Sequence, residues 1–228
     1  MRFSLLALAL FLVACQPQAD EAPDASAEVA EAVSAEATPG DIQPGVMAPD
    51  FKLASTSGEP YLLGDLRGKT VVLEWLNYDC PYVAKHYNSG NMQALQQGYT
   101  SADYGSDVVW LSIVSSAPGE QGHFEPAEMD ARTEQEGGLQ TAVLMDPTGE
   151  VGRLYGAKTT PHMFVISPEG TVVYNGAIDD KPVTNPESLD GATNYLVSAM
   201  DALAEGREAD PDRTVPYGCS VKYANAEA

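Results

Sequence analysis

The chain has 228 residues, with 33 acidic against 12 basic side chains and a net charge of −21. A surface this negative excludes nucleic acid and anionic membrane as partners, since both are polyanions. From residue 46 to the end the chain is long enough for one domain with an ample core, and it shows no internal repeat.

The first fifteen residues read as an export leader. Arg2 supplies a positive start, Phe3 to Val13 are nearly all apolar, and Leu12-Val13-Ala14-Cys15 matches a bacterial lipobox, in which cleavage precedes the cysteine and lipid is attached to it. The apolar run is too short to span a bilayer. Residues 1–14 are therefore assigned as a lipoprotein signal peptide, and Cys15 as a lipidation site and not a redox group. Gln16 stands where the inner-membrane retention signal typically has Asp, so the expected location is the cell envelope, at the outer membrane facing the periplasm. Membrane contact is expected through the lipid anchor only.

Residues 15–45 form an expected disordered tether, rich in Ala, Glu and Pro, with seven acidic residues, no Lys or Arg and no apolar period. At coil dimensions its roughly thirty residues give about 30 Å of reach. Arg2 and these acids account for −6 of the charge, leaving −15 for residues 46–228.

The body, expected over 46–206, opens with a segment at 48–53 and a buried-type strand at 71–76. A helix from Pro81 is interrupted near Ser89-Gly90 and restarts at Asn91 through about residue 97. Strand 107–114 follows, then a helical stretch over 125–136, strand 142–145 and a short helix over 150–155. Strand 162–167, the turn Ser167-Pro168-Glu169-Gly170, strand 171–175 and a helix around 192–205 complete it. Strands separated by helices argue a central sheet with parallel pairs, and the closing hairpin adds antiparallel strands. The fold class is α/β, a central mixed β-sheet flanked by helices, with a C-terminal segment 207–228 that carries Cys219.

Cys80 ends the run Val71 to Asp79 and precedes Pro81 and a helix-compatible stretch. A thiol at the first turn of a helix faces unpaired N–H groups and the positive end of the helix dipole, which stabilise its thiolate. Pro81 suits that turn, because the N–H it lacks has no partner there. Asp79 places an opposing negative charge beside the thiol or caps the helix, so the sign of the net shift at Cys80 is open.

Ala48-Pro49-Asp50-Phe51, Leu66-Arg67-Gly68-Lys69 and Val71 to Glu74 resemble the opening of the AhpC/TSA redoxin proteins, and Thr160-Pro161 before a strand resembles the cis-proline loop of the thioredoxin-like fold. Cys80-Pro81-Tyr82-Val83, Asn88 to Met92, Thr160 to Phe164, Tyr174 to Asp180 and Pro216 to Ser220 are similar to a peroxiredoxin-like subgroup of that superfamily. The resemblance covers nearly all of 46–223. It implies a thioredoxin-like fold, Cys80 as the redox cysteine, and protein or small-molecule thiols and disulfides as substrates, without a cofactor.

The likeness has two departures. Val83 stands where the second cysteine of a CxxC pair is expected. Peroxiredoxins also place Pro seven and Thr or Ser three residues before the peroxidatic cysteine, and here those positions hold Leu73 and Asn77; Asn77 keeps a hydrogen-bond donor there. Thiol-disulfide exchange asks for less: a thiolate, a proton acceptor and an edge for the substrate chain. Glu74, six residues before Cys80, matches the offset of the buried acid of thioredoxin and is the expected proton acceptor, with a solvated side chain as the alternative. Thr160 and Pro161 are expected to form the substrate groove opposite Cys80, with Tyr82 at its mouth.

With Cys15 lipidated, Cys219 is the remaining partner for Cys80 in an oxidising envelope. Such a bridge is a resolving element or a staple. A staple closing about 140 residues would be worth about 5 kcal/mol by chain entropy. His162 is a candidate base beside Cys80 or a packed strand-start histidine. His86 is expected to point away into solvent, His123 has no partner at ligand spacing, and Asp179-Asp180 reads as a solvated pair. No metal is expected, since neither a CxxxC copper pair nor a zinc spacing is present. Three readings stay open: an envelope thiol-disulfide oxidoreductase, an antioxidant thiol peroxidase of the peroxiredoxin type, and a non-catalytic lipoprotein with a structural disulfide.

Overall fold

The computed structural model describes residues 39–102 and 107–224. The assignments of 1–14, of Cys15 and of most of the tether lie outside these residues. Among the described residues no helix is long and apolar enough to cross a membrane.

A seven-stranded sheet runs β2 (Pro60–Leu62), β1 (Lys52–Ser55), β5 (Ala142–Met145), β4 (Val108–Val114), β3 (Thr70–Trp75), β7 (His162–Ile166) and β8 (Val172–Gly176). β3, β4 and β5 are parallel, while β7 and β8 on one side and β1 and β2 on the other are antiparallel. This is the α/β thioredoxin-like architecture, with a mixed sheet flanked by helices. The central strands are buried on both faces, and so β3 and β4 read as mostly apolar runs, interrupted at Glu74 and Ser112, and not as alternations.

Alternation inside those runs still sorts two cores. Val72, Leu76, Trp110, Met163 and Val165 pack against α1 (Pro81–Asn88), α2 (Asn91–Thr100) and α5 (Tyr195–Ala204). Val71, Leu73, Trp75, Leu111, Ile113 and Phe164 face the other side, under α4 (Glu150–Tyr155). Trp75 and Trp110 are 0% exposed. Burying each removes about 200 Å² from water, which contributes about 5 kcal/mol.

Local signals set the helix ends. Gly90 adopts φ +74° and separates α1 from α2, where the sequence predicted the interruption. Pro126 opens α3 (Pro126–Glu136) behind a Glu125/Glu128 capping box, and Gly137 closes it in the left-handed region.

Two stretches differ from the expected boundaries. Gly40 donates its N–H to the Leu154 carbonyl, the Ile42 side chain is fully buried, and its carbonyl accepts from Asn175 Nδ2. These residues, assigned to the tether, belong to the folded body, because one buried Ile and an Arg213–Asp41 ion pair anchor a segment whose composition alone is acidic coil. At the other end, the C-terminal segment folds back on the body in a separate two-stranded sheet: β9 (Cys219–Ser220) pairs antiparallel with β6 (Thr159–Thr160). The hairpin β1/β2 and this two-residue pair carry no sequence period and were not expected.

Candidate functional site

β3 delivers Cys80 to the N-terminal end of α1, where it is the N-cap residue with extended backbone and Pro81 in the first turn. Its N–H is held by the Asn77 carbonyl and its own carbonyl accepts the first helical bond from Ala84. The side chain is 0% exposed. The sequence required an accessible thiol, and the structure covers it with the chain's own C-terminal segment.

The Cys80 thiol donates to the Thr160 carbonyl at 3.0 Å, which favours the protonated form. Burial also pushes the pKa up, yet the net direction is down, because the Cys219 thiol, the Thr160 hydroxyl and the backbone N–H groups of Cys219 and Val83 all stabilise the thiolate. The Thr160 hydroxyl is buried and has no partner while the sulfur carries its proton, so it is free to turn to a thiolate. Cys219, half-buried, is pushed the other way, to about 11, by burial and by the hydrogen bond and charge of Cys80. The two thiols are thus shifted in opposite directions, Cys80 toward ionisation and Cys219 toward keeping its proton.

The neighbour arrives along the edge where a substrate was expected. Thr160 pairs in register with Cys219, and Thr159 with Ser220. The Thr160–Pro161 bond is cis. Gly218 makes the close approach possible: it sits at φ +143° and a Cβ there would overlap the Thr160 carbonyl oxygen. Tyr82 meets Tyr217 edge to face with ring centroids 5.8 Å apart, a second contact to the same arm.

Other predicted residues fall elsewhere. Glu74 is fully buried and pushed up to about 6 by burial, against hydrogen bonds from Trp110, Ser112, Tyr87 and Gln96. Trp110 Nε1 and Ser112 Oγ each donate to Oε2 at 2.9 Å, and no hydrogen bond joins Glu74 to Cys80 among the described residues. Its solvated alternative is overturned, and its link to α1 runs through Tyr87. Asn77 is turned away from the sulfur: Oδ1 accepts from the Asp79 N–H and Nδ2 donates to the Gln121 carbonyl. Leu73 belongs to the core on the opposite face of the sheet. His162 lies beside Trp75 and Phe164, with Nε2 on Asn175 Oδ1 at 2.7 Å and Nδ1 accepting the Lys158 N–H. Both ring nitrogens are used, and the packed reading holds over the base. Asp79 forms an ion pair with Arg132 at 3.3 Å and does not cap α1, whose cap is Cys80.

Two expectations are corrected by one cluster. His86 and Asp179, read as solvated, are both buried, because Lys85 on α1 turns inward and needs a counter-charge. Lys85 Nζ lies 3.1 Å from Asp179 Oδ2 with both side chains almost fully buried. His86 Nε2 is 3.7 Å from the same oxygen. The Tyr217 hydroxyl donates to Asp179 Oδ1 and accepts from Lys85. Nothing in the spacing of these residues marked them; the one signal was a lysine set among Val83, His86 and Tyr87 on a helix with no exposed partner.

Among the described residues no group of three His, Cys, Asp or Glu side chains is placed to hold a metal ion. A family model described as Redoxin matches residues 43–192. No curated protein matches the chain. Among solved structures, a hypothetical protein of Sinorhizobium meliloti 1021 superposes with a TM-score of 0.67 at 21% identity, over 84% of this chain and 100% of that one. An uncharacterized conserved protein of Geobacillus kaustophilus superposes with a TM-score of 0.66 at 26% identity, over 81% of this chain and 94% of that one.

Proposed function

The chain belongs to the Redoxin family, and so to thiol oxidoreductases in general, and from that premise we propose that it is an envelope thiol-disulfide oxidoreductase in which Cys80 is the nucleophile and Cys219 the resolving thiol. The observation that carries this reading is that Thr160 holds both cysteines: its carbonyl accepts from the Cys80 thiol at 3.0 Å, and its backbone pairs in register with Cys219. The envelope location rests on the leader and lipobox at Cys15.

In the proposed cycle the Cys80 thiolate attacks one sulfur of a substrate disulfide. A Cys80–substrate disulfide forms, and the second substrate sulfur leaves as a thiolate and takes up a proton. Once Cys80 is bonded, its negative charge and its hydrogen bond no longer hold the Cys219 pKa up, and Cys219 loses its proton more readily. The Cys219 thiolate then attacks Cys80 Sγ, closing a Cys80–Cys219 disulfide and expelling the remaining substrate sulfur. Two electrons and two protons pass to the substrate, and an external dithiol restores the pair. With Val83 in the place of a second local cysteine, the arm supplies what the motif lacks.

The complete burial of Cys80 favours a second reading, a structural bridge between the same residues. The redox potential of the pair separates them: an exchanging pair is reduced by a cellular dithiol, and a staple resists it. The peroxidase reading is disfavoured by Asn77, whose amide is spent on Gln121 and Asp79. Non-reducing peptide mapping across a glutathione series is the deciding experiment.

A further inference from the structure

Lys85 and Asp179 form an ion pair buried under the arm that carries Cys219, and neither has a role in exchange as proposed above. A lysine ammonium has three donors. Here they go to Asp179, to the Lys181 carbonyl at 2.8 Å and to the Tyr217 hydroxyl at 2.9 Å. Asp179 Oδ1 accepts from the Lys181 N–H at 2.8 Å and from Tyr217. The Tyr217 hydroxyl therefore completes both members of the pair, as acceptor for one and donor for the other. A buried pair whose valences are all filled is tolerated; one left with an open donor and an open acceptor draws in water.

We propose that the Lys85–Asp179 pair is a socket for Tyr217, and that Tyr217 is the positioning residue that sets Cys219 against Cys80. One residue separates the anchor from the thiol, Gly218, whose missing side chain lets the arm run flush against Thr160. The arm is thus clamped at Tyr217 on one side of that glycine and at the Thr160–Cys219 pairing on the other. Docked, it holds the resolving thiol within reach and covers Cys80. Undocked, it bares Cys80 and the Thr160 edge together. The inference deepens the exchange reading and rests on it for its purpose, though the docking itself is measurable without any exchange.

The test compares wild type, Tyr217→Phe and Gly218→Ala as full chains. The alkylation rate of Cys80 by iodoacetamide is read by mass spectrometry of its peptide in a Cys219→Ser background, and the equilibrium constant of the Cys80–Cys219 disulfide is read against glutathione. Tyr217→Phe, which removes one oxygen and no packing volume, is expected to raise Cys80 alkylation about tenfold and to lower the disulfide equilibrium constant by about the same factor, with the far-UV spectrum unchanged. Gly218→Ala opens the arm by steric overlap and is expected to do both. If Gly218→Ala bares Cys80 and Tyr217→Phe leaves both readings within about twofold of wild type, the arm is a cover and Tyr217 is not its anchor, and the inference is overturned. If no Cys80–Cys219 disulfide forms in wild type while Tyr217→Phe still speeds alkylation, the socket stands and the exchange function falls.

Discussion

Thr160 and Cys219 face each other as an antiparallel pair, and the Thr160 carbonyl that lies beside that pairing is also the acceptor of the Cys80 thiol. One residue therefore touches both cysteines through its backbone, by its carbonyl on Cys80 and by strand pairing on Cys219. The environment of the Cys80 thiol and the placement of Cys219 are consequences of the same short strand.

Cys80→Ser is expected to abolish thiol chemistry with little loss of stability, since the substitution is nearly isosteric and a serine hydroxyl can donate to the Thr160 carbonyl as the thiol does. Cys219→Ser is expected to accumulate covalent adducts through Cys80, seen as gel bands that vanish on reduction. Equal adduct levels in wild type and Cys219→Ser would remove the resolving role.

Thr160→Val keeps the shape and backbone pairing of β6 and deletes the hydroxyl that waits for the thiolate. A hydrogen bond to a charged group is worth about 1.5–3 kcal/mol, so the Cys80 titration, followed by thiolate absorbance near 240 nm, should move to higher pH. An unmoved titration curve would show that the hydroxyl plays no part.

Acid should destabilise the fold below neutral pH. Burial holds His86 and His162 down to about 4, so the stability they provide is complete above pH 6.5 and is lost as pH falls toward 4, at about 3 kcal/mol each. Glu74, pushed up to about 6, has the opposite sign: its contribution is complete below pH 4.5 and is lost as pH rises through 6, by about 2 kcal/mol. The two histidines outweigh it. In urea unfolding at pH 4, 5.5 and 7, Glu74→Gln should therefore gain on wild type as pH rises, by about 2 kcal/mol over the series. Parallel stability profiles for the two proteins would contradict the buried-acid assignment.

Peroxide offers a further check. Asn77 has committed its amide to the loop at Gln121, and no peroxidatic hydroxyl stands three residues before Cys80. Sulfenic acid formation at Cys80 by hydrogen peroxide should then be slow and should change by less than about twofold in Asn77→Ala. A large drop in that variant would revive the peroxidase reading.

Much of the fold was legible because its signals are local. Mostly apolar runs at β3 and β4 announce strands covered on both faces, Gly90 breaks one helix into two, and Pro126 and Gly137 bracket another. Cys80 ahead of Pro81 and Thr160 ahead of Pro161 are readable for the same reason, since each motif needs only its own neighbours. The anchoring of Gly40 on Leu154 and the pairing of Cys219 with Thr160 were not readable, because each depends on contacts more than fifty residues away that leave no period in the chain. Tertiary structure alone decided that Lys85 turns inward to Asp179, that Tyr217 closes over the pair, and that Asn77 and His162 spend their polar groups away from the thiol. Sequence supplies the reactive groups and the backbone that presents them, whereas the direction in which a polar side chain points is settled by whichever partner the folded chain brings within hydrogen-bonding distance.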